Sequence, residues 1–120
     1  MILVDTSIWI GHLHATDSRL VELLRTDQAG CYQFVIEELS LGSIKQRDYV
    51  LGLLADLYRF PVLAHDEVLQ LVDGRRLWGR GLSAMDVHLL GSAALVRGAH
   101  LWTRDRRLKA VCVEFGVAWA

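Results

Sequence analysis

The first ten residues, MILVDTSIWI, constrain this chain more than any other stretch. Ile2, Leu3 and Val4 form a short, unalternating apolar run, the pattern of a strand buried on both faces. Asp5 interrupts the run, and Thr6 and Ser7 lead into a second apolar pattern of Ile8, Trp9, Ile10 and Leu13. That spacing predicts a helix whose first turn is capped by a hydroxyl. A carboxylate at the end of a buried strand, facing a helix start, stands where open α/β sheets bind ligands. An Asp at such a junction also serves simply to turn the chain. Whether other carboxylates arrive at the same edge decides between the two.

A chain of 120 residues is long enough for one real core and too short for two, so residues 1–120 are expected to form a single domain. Hydrophobic residues make up 52%, and the mean hydropathy of +0.27 excludes a disordered chain. No run approaches the roughly 20 apolar residues of a membrane span. No basic segment precedes the first apolar run and Asp5 splits it, so neither a signal peptide nor a membrane partner is expected, and the location is expected to be cytoplasmic. Cys31 and Cys112 lie far apart in unrelated apolar segments, which predicts two buried free thiols. The formal net charge is −1, but it is unevenly placed. Residues 1–60 carry five Lys/Arg against eight Asp/Glu, and residues 61–120 eight against six. Arg75, Arg76, Arg80, Arg104, Arg106, Arg107 and Lys109 make up the basic excess, compatible with phosphate binding or with solvated helix faces.

Asp17 or Ser18 is positioned to cap a second helix running to about Gln28, ended by Gly30. Cys31 to Phe34 is a strand candidate, followed by a helix from Val35 to Gly42 and another from Arg47 to Tyr58. Pro61, the only proline, opens a predicted strand through Ala64. His65 to Trp78 is amphipathic, and Gly79-Arg80-Gly81 breaks it. Ser83 starts a helix, Ala84 to Arg97, that is apolar nearly all round and must be covered on several sides. His100 to Thr103 is a strand, Asp105 to Phe115 a helix, and Val117 to Trp119 a candidate last strand. Strands alternating with helices predict a three-layer α/β/α sandwich around a mainly parallel sheet.

In such a sheet each helix runs antiparallel to its strands, so helices that follow a strand and helices that precede one start at the same edge. Asp5 ends the first strand, Glu38 follows the second, Asp86 opens the helix leading into the Leu101 strand, and Asp105 follows that strand. All four are expected on one rim. Each has a plainer role: Asp86 and Ser83 fit a capping box, Asp105 fits a cap, and Glu37 and Glu38 fit an exposed acidic step. Four together repel one another unless a cation compensates, and an all-oxygen set favours Mg²⁺ or Mn²⁺ over zinc. Thr6, Ser7 and Thr103 are candidate hydroxyl contacts, with capping preferred for Thr6 and Ser7. Without the four carboxylates the formal charge would be +3, so the slight acidity is local to this rim.

The same residues carry a family resemblance. Val4-Asp5-Thr6-Ser7-Ile8-Trp9-Ile10 resembles the first motif of PIN-domain ribonucleases, in particular the VapC toxins of bacterial and archaeal toxin–antitoxin pairs. The segment Phe34 to Gly42 is similar to their second motif, with its E-L-x-x-G core on Glu38 to Gly42. Leu82 to Leu90 resembles the third and Leu101 to Leu108 the fourth, in family order along nearly the whole chain. Glu37 departs from the pattern, since relatives often carry a small residue there. The resemblance implies Mg²⁺-dependent hydrolysis of RNA by Asp5, Glu38, Asp86 and Asp105, with Mn²⁺ as a substitute ion. It also implies a homodimer held inactive by a cognate antitoxin that covers the acidic cleft. It names neither the RNA target nor the number of ions.

Two other classes have some sequence support. Gly79-Arg80-Gly81-Leu82-Ser83-Ala84 matches the G-x-G-x-x-A fingerprint of dinucleotide sites, but that fingerprint must follow a strand directly. A phosphoacceptor receiver module would use Asp5 and Asp66, yet it needs a lysine at a strand end, and Lys45 and Lys109 are both predicted helical. The five histidines show no ligand spacing and are expected at the surface or as caps.

Overall fold

The computed structural model describes all residues 1–120. Its elements are β1 (Ile2–Val4), α1 (Thr6–His14), α2 (Ser18–Arg25), β2 (Ala29–Cys31), α3 (Gln33–Ser40), α4 (Arg47–Ala55), β3 (Tyr58–Arg59), α5 (His65–Arg75), α6 (Ala84–Leu95), β4 (His100–Trp102) and α7 (Arg106–Phe115). The four strands form one parallel sheet in the order β3-β2-β1-β4, the centre of a three-layer α/β/α sandwich. Its apolar centre is β1. Leu3 pairs with Gly30 on one side and Leu101 on the other, and neither Leu3 nor Val4 reaches solvent. A central strand of this kind can be an uninterrupted apolar run because helices cover both faces.

The topology positions everything that follows. From β1 the chain moves outward through β2 to β3, then crosses back to place β4 on the other flank of β1. Strand order therefore reverses between β1 and β4, and the crevice at their carboxyl ends is where parallel α/β sheets bind ligands. Asp5 leaves β1 at that point, and its backbone N–H still bonds Trp102 O at 3.0 Å. Thr103 leaves β4 beside it. Helix α6 buries Val87 and Leu89 to Ala93 almost without a break, as its apolarity all round predicts. Truncating one of its fully buried leucines, such as Leu89, to alanine would cost about 2–5 kcal/mol.

Several expected boundaries move, each for a tertiary reason. Helix α2 stops at Arg25, and Gly30 does not end it but lies inside β2, where the Phe60 ring occupies the space of a side chain. The strand expected over Cys31–Phe34 lies earlier, and α3 begins at Gln33. Pro61–Ala64 is not a strand: β3 is Tyr58–Arg59, and the proline segment crosses over α6. There Ser92 Oγ donates to Pro61 O at 2.6 Å and Leu63 N donates to the Tyr32 hydroxyl at 3.1 Å. Helix α4 ends at Ala55 and α6 at Leu95, both short of the expected ends. Val117–Trp119 contributes only a single parallel bridge, Leu101 with Ala118. Both cysteines are free and buried, and burial pushes each thiol up to about 12. No helix is long and apolar enough to cross a membrane. Gly79-Arg80-Gly81 follows helix α5 rather than a strand, so the dinucleotide fingerprint lacks its required setting.

Candidate active site

Asp5 is buried to 8% exposure at the switch point, and three donors hold its carboxylate. Oδ1 accepts from Thr6 N at 2.7 Å, which makes Asp5 itself, rather than a hydroxyl, the cap of α1. Oδ2 accepts from Ser7 Oγ at 2.9 Å and from Thr103 Oγ1 at 2.7 Å. The same two hydroxyls reach back to the loop after β4: Thr103 Oγ1 accepts from Asp105 N at 3.0 Å, and Ser7 Oγ accepts from Arg104 N at 3.3 Å. A carboxylate accepts at both oxygens, and a hydroxyl can donate and accept at once. The exits of β1 and β4 are thereby tied together through one acid and two hydroxyls.

The other three acids reach the rim as the topology predicts. Asp105 caps α7, accepting from Leu108 N at 3.0 Å. Asp86 closes a capping box with Ser83: Ser83 N donates to Asp86 Oδ2 at 2.9 Å and Asp86 N to Ser83 Oγ at 3.1 Å. Glu38, in the second turn of α3, accepts from Thr6 Oγ1 at 2.9 Å, while the Glu37 side chain has no partner. Thus three of the four acids do cap helices, and capping and clustering turn out to be the same geometry. Helices starting at one rim bring their capping acids to that rim.

Electrostatics register the crowding. Burial holds the Asp86 carboxyl above its ordinary value; hydrogen bonds from Ser83 pull it down, and the charges of Asp105 and Asp5 push it up. Cys112, on α7, is raised by burial first and then by the charges of Asp5 and Asp86. Asp5, Asp86 and Asp105 therefore lie within electrostatic reach of one another, and Glu38 joins them through Thr6. No three His, Cys, Asp or Glu side chains converge as a ready-made ligand cage.

One residue near this rim departs from the sequence reading. His88, two residues beyond Asp86, is packed rather than exposed. Its ring meets Phe34 at 4.8 Å between centroids, and Nδ1 lies 2.7 Å from the Tyr32 hydroxyl. That hydroxyl also accepts from Leu63 N, so Tyr32 links the proline segment to the His88 ring. Burial lowers the His88 pKa. His12 Nδ1 accepts at 3.0 Å from the backbone N of Asp17, the residue that caps α2, so His12 supports a cap without being one. Nothing in the spacing of the histidines separates these two roles.

Comparisons with known proteins point the same way. The chain is 72% identical over 120 residues to ribonuclease VapC32 of Mycobacterium tuberculosis, from strain CDC 1551 / Oshkosh and equally from strain ATCC 25618 / H37Rv. Those alignments cover all of this chain and 97% of each relative. Among solved structures, PAE2754 from Pyrobaculum aerophilum has a similar fold, with a TM-score of 0.63 and 20% identity over 96% of this chain and 94% of the other. The family model of the PIN domain matches residues 2–114, from the first residue of β1 to the last turn of α7 and across all four acids at the switch point. The chain belongs to the PIN-domain family.

Proposed function

We propose that this chain is a divalent-metal-dependent endoribonuclease, with residues 1–120 acting as one unit and Asp5, Glu38, Asp86 and Asp105 as its catalytic and metal-binding acids. The observation that carries the proposal is the Asp5 carboxylate, clasped by Ser7 and Thr103 at the switch point and facing the charges of Asp86 and Asp105. The ribonuclease name of relatives 72% identical to this chain supports the substrate class.

The acids fit a hard cation. All are oxygen donors, and their mutual repulsion, felt at Asp86, is what a positive ion would relieve. When bound, Mg²⁺ or Mn²⁺ supplies a water of lowered pKa and positive charge against the phosphate. The chain's own residues supply the rest. The hydroxyls of Ser7 and Thr103 fix the orientation of Asp5, and Thr103 also fixes the start of the loop that carries Asp105. Thr6 fixes Glu38 against the same rim. Outer partners of this kind hold ligating acids in place.

As in the toxins it resembles, the protein is proposed to act in the cytoplasm on RNA, to form a homodimer, and to be silenced by a cognate antitoxin. An apolar groove of about 460 Å³ supports a partner protein. It runs between α1, α2 and α4, lined by Trp9, Leu13, Leu24, Tyr49 and Leu53. The test is cleavage of total bacterial RNA by purified protein. Cleavage is expected with Mg²⁺ or Mn²⁺, not in excess chelator, and not by Asp5→Asn. Full activity in chelator would refute the metal requirement, and wild-type rates from Asp5→Asn would remove Asp5 from the site.

A further inference from the structure

Arg104 in the loop leaving β4 and Arg107 in the first turn of α7 flank Asp105, and each lies against a glycine with no side chain beneath it. The Arg104 guanidinium lies on α1 over Gly11, where a methyl group would stand 2.5 Å from Nη1 and 2.9 Å from both Cζ and Nη2. Gly11 is inside a helix and not at positive φ, so its backbone does not call for glycine, and an interior glycine weakens a helix. The bare Cα matters because the guanidinium occupies the space. Arg107 lies against Gly81, whose absent Cβ would stand 2.7 Å from Nη1 and 2.8 Å from Cδ; there the backbone, at φ 78°, also calls for glycine. Gly81 sits just before Ser83, the cap of the helix that bears Asp86.

Building on the nuclease reading above, we infer that Arg104 and Arg107 hold the RNA backbone on the two sides of the cleavage point. Arg104 is wired to the site, because its N–H donates to Ser7 Oγ, which donates to Asp5. Its guanidinium is steered, not consumed, by Asp17, at 3.8 Å from Oδ2 with the arginine side chain 57% exposed. One long ion pair leaves most of its five N–H donors free. Gly11 stands six residues beyond Asp5, about 9 Å along the helix, so the Arg104 guanidinium is offset from the acids and is open to a phosphate other than the one being cut. Arg107 grips from the α6 side. Between them lie acids that repel RNA, and a planar fork of donors matches a phosphate's paired oxygens on each flank.

The test pairs binding with kinetics. Binding of short, fluorescein-labelled single-stranded RNA of randomised sequence is measured over a salt series in the Asp5→Asn protein, which keeps the shape of the site. Cleavage of the same RNA with native Asp5 gives KM and kcat. Arg104→Ala and Arg107→Ala are each expected to weaken binding about ten-fold and to lower the slope of log K against log salt by about 0.7, the share of one phosphate contact on a single strand. KM should rise with kcat little changed. Arg104→Lys should restore the slope but only part of the affinity, because the fork is lost. Gly11→Ala is the sharper probe. Its methyl pushes the flexible guanidinium off its seat, so RNA affinity should fall as for Arg104→Ala while the unfolding midpoint rises with helix propensity. Unchanged slope and KM in both alanine variants, or native affinity in Gly11→Ala, would overturn the inference and leave the nuclease reading standing if the wild type cleaves. A wild type that neither binds nor cleaves RNA in Mg²⁺ overturns both.

Discussion

Replacing Asp86 by asparagine should stabilise the metal-free protein while abolishing its activity. The amide keeps an oxygen for Ser83 N–H, so the capping box survives. What disappears is a negative charge in the first turn of α6, worth about 0.3–1 kcal/mol in favour of the folded state. Against that stands the repulsion from Asp105 and Asp5. A pair of unit charges about 7 Å apart repels by roughly 0.6 kcal/mol in bulk water and roughly 2.4 kcal/mol at an effective dielectric of 20. Asp86 is half-buried and feels both charges, so the repulsion is relieved together with the larger cost of burying a carboxylate, about 1–2 kcal/mol in all after screening. The net gain is about 1 kcal/mol, or about 4 °C in the unfolding midpoint of a chain this size. Burial is the larger cause of the raised Asp86 pKa, so part of the gain should persist in high salt. The penalty on wild type exists above the raised folded value and is relieved as pH falls through it, so the two proteins should converge in acid. Thermal unfolding in chelator at neutral pH, in low and high salt and then with Mg²⁺, reads all of this. The variant should also gain less from Mg²⁺ than wild type does, since bound ion stabilises by its occupancy. An Asn variant less stable than wild type in chelator, gaining as much from Mg²⁺, would reduce Asp86 to a cap and refute the reasoning.

Three further outcomes are expected. Glu38→Gln should lose activity by more than the roughly 10–100-fold that removal of an outer partner costs, whereas Glu37→Gln should keep most of it, as measured by RNA cleavage rates. Thr103→Val removes a donor to Asp5 and strands the Asp105 N–H, so it should destabilise by about 1–3 kcal/mol and cut cleavage some ten-fold or more, with Thr103→Ser restoring both. Burial lowers His88 from the ordinary 6.5, so its contribution to stability is complete above that value and is lost as pH falls through it towards the lowered folded value. His88→Gln, which keeps a hydrogen-bonding partner for the Tyr32 hydroxyl, should flatten that fall in denaturant titrations from neutral to mildly acid pH. An identical pH dependence in both proteins would rule out the imidazole as its source.

Residues whose fate is set by local pattern were legible in the sequence; those set by a distant neighbour were not. Ile2 to Val4 could only be a central strand, and from it and the alternation of elements the shared rim of Asp5, Glu38, Asp86 and Asp105 follows. Gly30 looks like a helix stop because its neighbours say so, yet the ring of Phe60, thirty residues on, decides that it belongs in β2. Pro61 to Ala64 has strand composition, but its polar groups bond Ser92 and Tyr32 instead of a ladder. Asp86 illustrates a different limit. Capping and site chemistry ask for the same residue at the same helix position, so no sequence pattern separates them. The seat of Arg104 on Gly11 joins positions 93 apart in sequence, neither remarkable by type.

The hydrogen bond from Thr103 to Asp5 spans 98 positions of sequence, and it joins the exit of β4 to the exit of β1. Contacts of such separation form late, after the cost of closing the chain between them has been met. A growing polypeptide that carries Asp5, Glu38 and even Asp86 still lacks β4, and with it one flank of β1 and the hydroxyl that orients the first acid. Three of the four acids are thus translated before the crevice that would hold them exists. For a protein proposed to cut RNA, this makes activity wait on β4, however early the other acids are in place.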